Sequence, residues 1–284
     1  MSVPYYSVFG HPIAHSLSPR LHALFATQAR IALDYVAIDA APADFERSLR
    51  SFFDAGGRGA NVTLPHKAAA FALAEVRSPT ARRLGVANVL TRLADGRLEA
   101  DSNDGAGMLA DLTRCGVDAH GQEVLLLGAG GAARAAAFAL LDAGVARLTV
   151  ANRTLERAQA LVDALATPVK ASALHWNDLD DAPAFDLIIN ATSAGVQHAT
   201  LALPVSLANT DTVAYDLSYG AAAKPFVGWA QRTGCKAAFD GLGMLFETAA
   251  ASFERWHGAR PDVEAALQSL LSAGRHPPDA AHRC

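Results

Sequence analysis

Two parts of this chain combine chemically active residue types with spacings that would hold them in place. The first is Asn61-Val62-Thr63-Leu64-Pro65-His66-Lys67, echoed further on by Asp101-Ser102-Asn103-Asp104-Gly105. A lysine that follows a strand-like run and opens a helical one is poorly placed for stability, because cations suit the other helix end. It is well placed to move a proton. Pro65 fixes the turn ahead of it. Asp104 opens a second helical run and could simply cap it. Beside Lys67 it would instead hold a hydroxyl and help move its proton. The bland reading of Lys67 is a surface side chain on a loop.

The second part is Gly128-Ala129-Gly130-Gly131-Ala132-Ala133-Arg134, with the apolar run 124–127 before it and an Ala-rich helical stretch after it. Such glycines allow a tight turn and close approach of the backbone to a pyrophosphate. Amides at a helix N-terminus then favour that negative charge. A second strand-like run, 148–151, ends in Asn152-Arg153-Thr154. An NAD site would carry an acid there to accept a bond from the ribose 2′-hydroxyl. A guanidinium pairs instead with a 2′-phosphate, so the unit reads as an NADP site. Arg157, one turn on, supplies a second cation. Gly-x-Gly-Gly is shorter than the full glycine fingerprint, and its weight comes from the strand before and the helix after. The bland reading of Arg153 is a solvated residue at a strand end.

The elements that must carry these residues alternate. Strands are expected at 5–10, 35–39, 60–63, 89–93, 98–101, 124–127, 148–151, 187–190, 213–217 and 236–239. Helices are expected at 22–32, 44–55, 67–76, from 105 onward, 244–256 and 263–271. The 44–55 run places Phe45, Leu49, Phe52 and Phe53 on one side. Ala94-Asp95-Gly96-Arg97 carries an Asp-Gly hairpin signal. The alternation predicts α/β layers. The tail after Ser272 has no periodicity and reads as frayed.

Composition narrows the class. The 284 residues suffice for two modest domains. The chain is 51% hydrophobic and 18% charged, which fits a globular protein. A net charge of -4 argues against a nucleic-acid surface. It leaves room for a small anionic substrate held by local cations. Cys115, Cys235 and Cys284 form no spaced framework, which suits a reducing cytoplasm. The opening Met1-Ser-Val-Pro-Tyr-Tyr is neither basic nor a long apolar run, so no signal peptide is expected. No apolar stretch approaches membrane-spanning length. No metal site is expected, because the ten histidines are scattered and no Cys-x-x-Cys pair occurs. No Ser stands in a Gly-x-Ser-x-Gly elbow, which leaves hydrolysis unsupported.

Six motifs, in order, give a resemblance to the shikimate dehydrogenase family over nearly the whole chain. They are the run from Val8 through Gly10-His11-Pro12 to Ser16-Leu17-Ser18-Pro19, the run from Gly59 to Lys67, and Asp104-Gly105 with Gly107. The glycine turn with Asn152-Arg153-Thr154, Asn190-Ala191-Thr192-Ser193-Ala194-Gly195, and Asp240-Gly241-Leu242-Gly243-Met244-Leu245 complete the set. The resemblance implies an α/β protein with an N-terminal substrate domain at 1–104, to which the helices of 240–272 return. It implies a Rossmann-like NADP domain at 105–239, and it leaves 273–284 as a disordered tail. It implies Lys67 and Asp104 as the acid–base pair. Ser16 and Ser18 would hold the substrate carboxylate, with helix capping before Pro19 as the alternative, chiefly for Ser18. Thr63, Asn88, Tyr219 and Thr248 would contact the rest of the substrate. Gly128, Ala129, Gly130, Gly131, Ala132, Asn152, Arg153, Thr154, Arg157, Thr192, Leu217, Gly241 and Met244 would hold the cofactor, with core packing as the alternative for Met244. The implied activity is NADP-dependent interconversion of shikimate and 3-dehydroshikimate in aromatic amino-acid biosynthesis, by a cytoplasmic monomer or homodimer.

The chain departs from the family pattern at several positions. Ser102 and Asn103 stand where Asn-Thr is usual, Val89 stands for a Thr, and Thr248 stands for a Gln. His66 replaces an aromatic, and Lys224 replaces a Thr. A shortened polar arm at 248 could leave a substrate hydroxyl unpaired, at a cost of about 1–3 kcal/mol. Two alternatives therefore stay open: a paralogue acting on quinate or a related polyol acid, and a non-catalytic NADP-binding homologue. Arg153 weighs against an NAD-preferring member.

Overall fold

The computed structural model describes residues 3–165, 170–195 and 202–272. The expected tail at 273–284 lies outside the described residues. Two compact units form: Met1–Asp104 with Leu245–Ser272, and Gly105–Met244.

In the first unit the strands are β1 (Tyr5–Gly10), β2 (Asp34–Asp39), β3 (Gly57–Val62), β4 (Val76–Arg77), β5 (Val89–Arg92) and β6 (Leu98–Asp101). They form one sheet in the order β2-β1-β3-β5-β6-β4. β1, β2 and β3 are parallel, whereas β5 runs antiparallel to both β3 and β6. The β5–β6 hairpin turns on Gly96, whose φ of +89° suits a residue without a Cβ. The helices are α1 (Ser18–Ala29), α2 (Phe45–Asp54), α3 (Lys67–Leu73) and α4 (Pro79–Leu84). α2 buries Phe45, Leu49, Phe52 and Phe53 while Arg50 pairs with Glu46 on the wet side. Each such aromatic contributes roughly 1.5–3 kcal/mol by leaving water.

After Asp104, the first residue of α5 (Asp104–Arg114), the rest of that helix belongs to the second unit, whose sheet comprises β7 (Glu123–Leu127), β8 (Arg147–Asn152), β9 (Lys170–His175), β10 (Leu187–Asn190), β11 (Val213–Asp216) and β12 (Ala237–Phe239). The order is β12-β11-β10-β7-β8-β9, and every pairing is parallel. β7 is central, so Val124, Leu125, Leu126 and Leu127 are all buried, which explains an unbroken apolar run rather than alternation. α6 (Gly131–Asp142), α7 (Leu155–Leu165) and α8 (Lys224–Thr233) accompany this sheet. α9 (Leu242–His257) starts in this unit and continues into the first, where α10 (Val263–Ser272) follows. No described helix is long and apolar enough to cross a membrane.

The mixed α/β architecture with a parallel second sheet agrees with the expectation from sequence. Some elements differ. α1 starts at Ser18 rather than 22, because Pro19 is tolerated in a first helical turn. α4 has only six residues, too few to show a period; its signal is Ser78, whose Oγ accepts a bond from the Ala81 N–H. β9 lies outside the expected strands, being a Lys-Ala-Ser-Ala-Leu-His run of weak strand formers at a sheet edge. β4 and α8 are likewise additions.

Candidate functional site

The strand directions of the first unit bring its chemical residues to one sheet edge. β1 and β3 are parallel and end together, with Phe9 opposite Val62. The loops carrying Ser16, Thr63 and Lys67 therefore leave from the same edge. Asn88 precedes β5, and Ser102 follows β6. These two strands run antiparallel to each other, with Asn61 opposite Val89 and Val89 opposite Asp101. Asn88 and Asp104 thus reach that edge too. Crevices beyond carboxyl ends of parallel strands are where α/β sheets bind ligands.

At this edge Lys67 Nζ donates to Asp104 Oδ2 at 2.5 Å, with side chains 12% and 11% exposed. Lys67 is the first residue of α3 and Asp104 the first of α5. The acid is favourably placed against a helix N-terminus; the lysine is not, and the carboxylate offsets that. Asn88 Nδ2 donates to Asp104 Oδ1 at 2.7 Å, so both carboxylate oxygens are engaged by side chains. Asn88 Nδ2 also donates to Asn103 Oδ1 at 2.7 Å. Both amide hydrogens of Asn88 are therefore committed inside the unit.

The other first-unit candidates take quieter positions. Ser16 Oγ accepts from the Ser18 N–H at 3.3 Å, and Ser18 is buried in the first turn of α1. The N-cap of α1 is Leu17, with no side-chain cap hydrogen bond, so neither serine caps this helix in the expected way. The Thr63 N–H donates to the Phe9 carbonyl, which ties the β1 and β3 exits together. His66 lies flat on Phe45, with ring centroids 4.2 Å apart, and its Nε2 donates to the Ala40 carbonyl at 2.8 Å. Burial pulls its pKa below the ordinary imidazole value. The ring thus stays neutral and stacks as an aromatic residue would. Thr248 on α9 spends its hydroxyl on the Leu245 carbonyl at 3.0 Å. The Ser102 hydroxyl is buried without a hydrogen-bond partner.

In the second unit the glycine turn links β7 to α6. Gly128 has φ +108°, and a Cβ there would stand 3.0 Å from the Ala191 carbonyl oxygen. A side chain is excluded on both counts. Gly130 is the exposed residue before α6, and a Cβ there would meet nothing within 4 Å. Gly131 and Ala132 follow as the first helical residues, so open space faces a 12-residue helix N-terminus. β8 ends at Asn152, whose Nδ2 donates to the Thr154 carbonyl at 2.8 Å. Arg153, Thr154 and Arg157 are exposed beside that strand end. These residues fit a dinucleotide with a 2′-phosphate: small residues and helix-terminal amides for the pyrophosphate, two guanidinium groups for the added charge.

The ends of β10 and β11 form a second set that sequence reasoning did not single out in full. Asn190 Nδ2 donates to Asp216 Oδ2 at 2.8 Å, while Asn190 Oδ1 accepts from the N–H and hydroxyl of Thr192. The Ser218 N–H donates to Asp216 Oδ1. Burial pushes the Asp216 carboxyl up to about 7, against these hydrogen bonds. Leu217 N–H donates to the Asn190 carbonyl and Gly241 N–H to the Ser218 carbonyl. Thr192, Leu217 and Gly241 are thus brought together, with Asn190 and Asp216 as their brace. The available signal was an Asn and an Asp each closing an apolar strand. Met244 is buried, and Tyr219 is half-buried after β11. Among the described residues, no group of three or more His, Cys, Asp or Glu is arranged to hold a metal ion.

Comparison with known proteins matches three successive family descriptions. They are "shikimate dehydrogenase substrate binding domain" over residues 8–90, "shikimate / quinate 5-dehydrogenase" over 111–202, and "shikimate 5'-dehydrogenase C-terminal domain" over 241–271. A relative named shikimate dehydrogenase (NADP(+)), from Xanthomonas euvesicatoria, is 52% identical over 273 residues, covering 95% of this chain and 96% of its own length. Shikimate dehydrogenase from Aquifex aeolicus superposes with a TM-score of 0.84 at 27% identity, over 94% of this chain and 97% of that one. Shikimate 5-dehydrogenase from Thermus thermophilus, solved with NADP(H) and shikimate, gives 0.82 at 33% identity, over 95% of this chain and 100% of that one.

Proposed function

The chain belongs to the shikimate dehydrogenase family, and from that premise we propose that it interconverts shikimate and 3-dehydroshikimate with NADP as cofactor. The observation that carries this reading is the nearly buried Lys67–Asp104 pair, with Asn88 on the second carboxylate oxygen. An oxidoreductase acting on a secondary alcohol must move the hydroxyl proton as the carbon is oxidised. Lys67 in its amine form takes that proton at Nζ from the substrate oxygen, and the ammonium so formed returns it in the reverse direction. Asp104 orients Lys67 and the hydroxyl. Asn88 fixes the carboxylate plane. NADP, which the glycine turn and the β8 end would hold, would supply the hydride acceptor.

The remaining roles are proposals of the same reading. Ser16 and Ser18 hold the substrate carboxylate, while Thr63, Asn88, Tyr219 and Thr248 contact hydroxyls and ring. Gly128 through Ala132 cradle the pyrophosphate. Asn152, Arg153, Thr154 and Arg157 hold the 2′-phosphate end, and Thr192, Leu217, Gly241 and Met244 the nicotinamide end. The first unit is then the substrate domain and the second the NADP domain. The reaction serves aromatic amino-acid biosynthesis. A cytoplasmic location and a monomeric or homodimeric state belong to the proposal. Cell fractionation and sedimentation test those two.

A second reading has one observation in its favour. Thr248 has a short side chain whose hydroxyl is used by its own helix, so a related polyol acid such as quinate is the competing substrate. Steady-state reduction of 3-dehydroshikimate with NADPH tests the first reading. Rapid consumption of NADPH, with little of NADH, supports it. NADPH binding without turnover would oppose it.

A further inference from the structure

Behind Asp104 lies a chain of partly buried side-chain hydrogen bonds, most of which the roles above leave unused. Asn103 Nδ2 donates to the Thr248 carbonyl at 3.0 Å and to Ser252 Oγ at 3.0 Å. Ser252 Oγ itself donates to the Thr248 carbonyl at 3.0 Å. It also accepts from Asn61 Nδ2 at 2.8 Å, and Asn61 Oδ1 accepts from the Tyr35 hydroxyl at 2.8 Å. On the other side, Asn103 Oδ1 accepts from Asn88 Nδ2, and the Asn103 N–H donates to Asn88 Oδ1 at 2.9 Å.

Backbone groups fix the direction of the bonds that lead to Asp104. A carbonyl only accepts, so the Asn103 atom facing Thr248 must be the amide nitrogen, and its oxygen then faces Asn88. A backbone N–H only donates, so the Asn88 atom facing it must be oxygen, and its nitrogen then faces Asp104. One amide orientation is allowed at each position. The outcome is a donor, never an acceptor, aimed at Asp104 Oδ1. That leaves Oδ2 for Lys67 Nζ. A flipped Asn88 would oppose oxygen to carboxylate oxygen. Ser252 is fully buried and Asn88 nearly so, which makes an unpaired group there costly.

We propose that Asn103, braced by Ser252 on α9, is a positioning residue: its N–H sets which way the Asn88 amide points, and its side-chain oxygen holds that amide in place and through it the alignment of Asp104 with Lys67. Its position follows from the fold: Asn103 bridges the β6 exit, which leads into Asp104, to the helix carrying Thr248. The departure from Thr at 103 is then a working part of this pocket. The inference rests on Lys67 and Asp104 being the acid–base pair.

The test is the Asn103→Leu variant of the full chain, made alone and in a Lys67→Ala background. Turnover of shikimate with NADP is measured together with NADPH affinity. Alone, Asn103→Leu lowers kcat about tenfold with NADPH affinity unchanged, since small misalignments of catalytic groups carry penalties of this order or larger. In the Lys67→Ala background it lowers kcat no further, because the alignment it maintains is already lost. Ser252→Ala removes the brace from the helix side, gives the same pattern, and replaces Asn103→Leu if that variant does not fold. An equal loss in both backgrounds would make Asn103 merely structural, and an unchanged kcat in the wild-type background would overturn the role outright. A Lys67→Ala enzyme with full turnover would instead sink the underlying acid–base reading, which keeps the two failures apart.

Discussion

If Lys67 and Asp104 act as one unit, removing both costs little more than removing one. The pair is separated by 2.5 Å, and each side chain is nearly buried. Positioned proton transfer contributes about 10²–10⁴-fold to rate. That corresponds to roughly 2.7–5.5 kcal/mol in the barrier. Independent contributions would multiply, so a double variant would lose on the order of 10⁴–10⁸-fold. Coupled ones would leave Lys67→Ala/Asp104→Asn within about tenfold of the worse single variant. The assay is kcat for shikimate oxidation by wild type, both single variants and the double. NADPH affinity, measured by fluorescence titration, serves as the control for folding, and it stays at the wild-type value throughout. A double variant at the product of the single losses would refute the coupling. Loss of NADPH binding in Lys67→Ala would show a structural lysine.

Three further outcomes follow from the same geometry. Arg153→Ala weakens NADP about 10–100-fold, as expected for a lost charge-assisted contact, and leaves NAD nearly unchanged; equal weakening of both would remove the 2′-phosphate role. His22 is fully buried and lies flat on Tyr35, with ring centroids 4.0 Å apart, and burial, with His257 nearby, lowers its pKa from 6.5 to about 3. A histidine kept neutral by the fold gives full stability above its unfolded pKa and loses it as pH falls from about 6.5 toward 3, by about 2 kcal/mol at pH 5. His22→Phe should remove that part of the acid-side slope in urea unfolding at a series of pH values, and parallel slopes would count against it. Gly128→Ala, which forces φ +108° on a residue with a Cβ next to Ala191, should weaken NADPH binding at least tenfold, and unchanged binding would show that the turn tolerates a side chain.

Much of the chemistry was legible because it sits at strand ends. Lys67, Asp104 and the glycine turn each follow or open an element, and a boundary is visible in one dimension. The fully apolar β7 and the Phe45–Phe53 stripe of α2 were legible for the same reason, since one period dominates each. What sequence could not supply was pairing across long separations. Ser252 is 149 residues from Asn103, and only the fold brings them to 3.0 Å. Asn190 stood out as part of a motif, but Asp216 looked like an ordinary strand end until the parallel β10–β11 register set the two opposite each other. His66 read as a departure because its type is polar, whereas its neutral ring packs on Phe45. β9 and α4 escaped notice because weak formers and six-residue helices carry too little pattern.

The central claim is best tested by kcat/KM for shikimate oxidation with NADP, measured beside quinate and beside NAD on the same preparation. The structure predicts efficient turnover of shikimate with NADP and much lower values when either partner is exchanged. Turnover of quinate equal to or above that of shikimate would contradict the assignment, and so would NADP binding with no turnover of either.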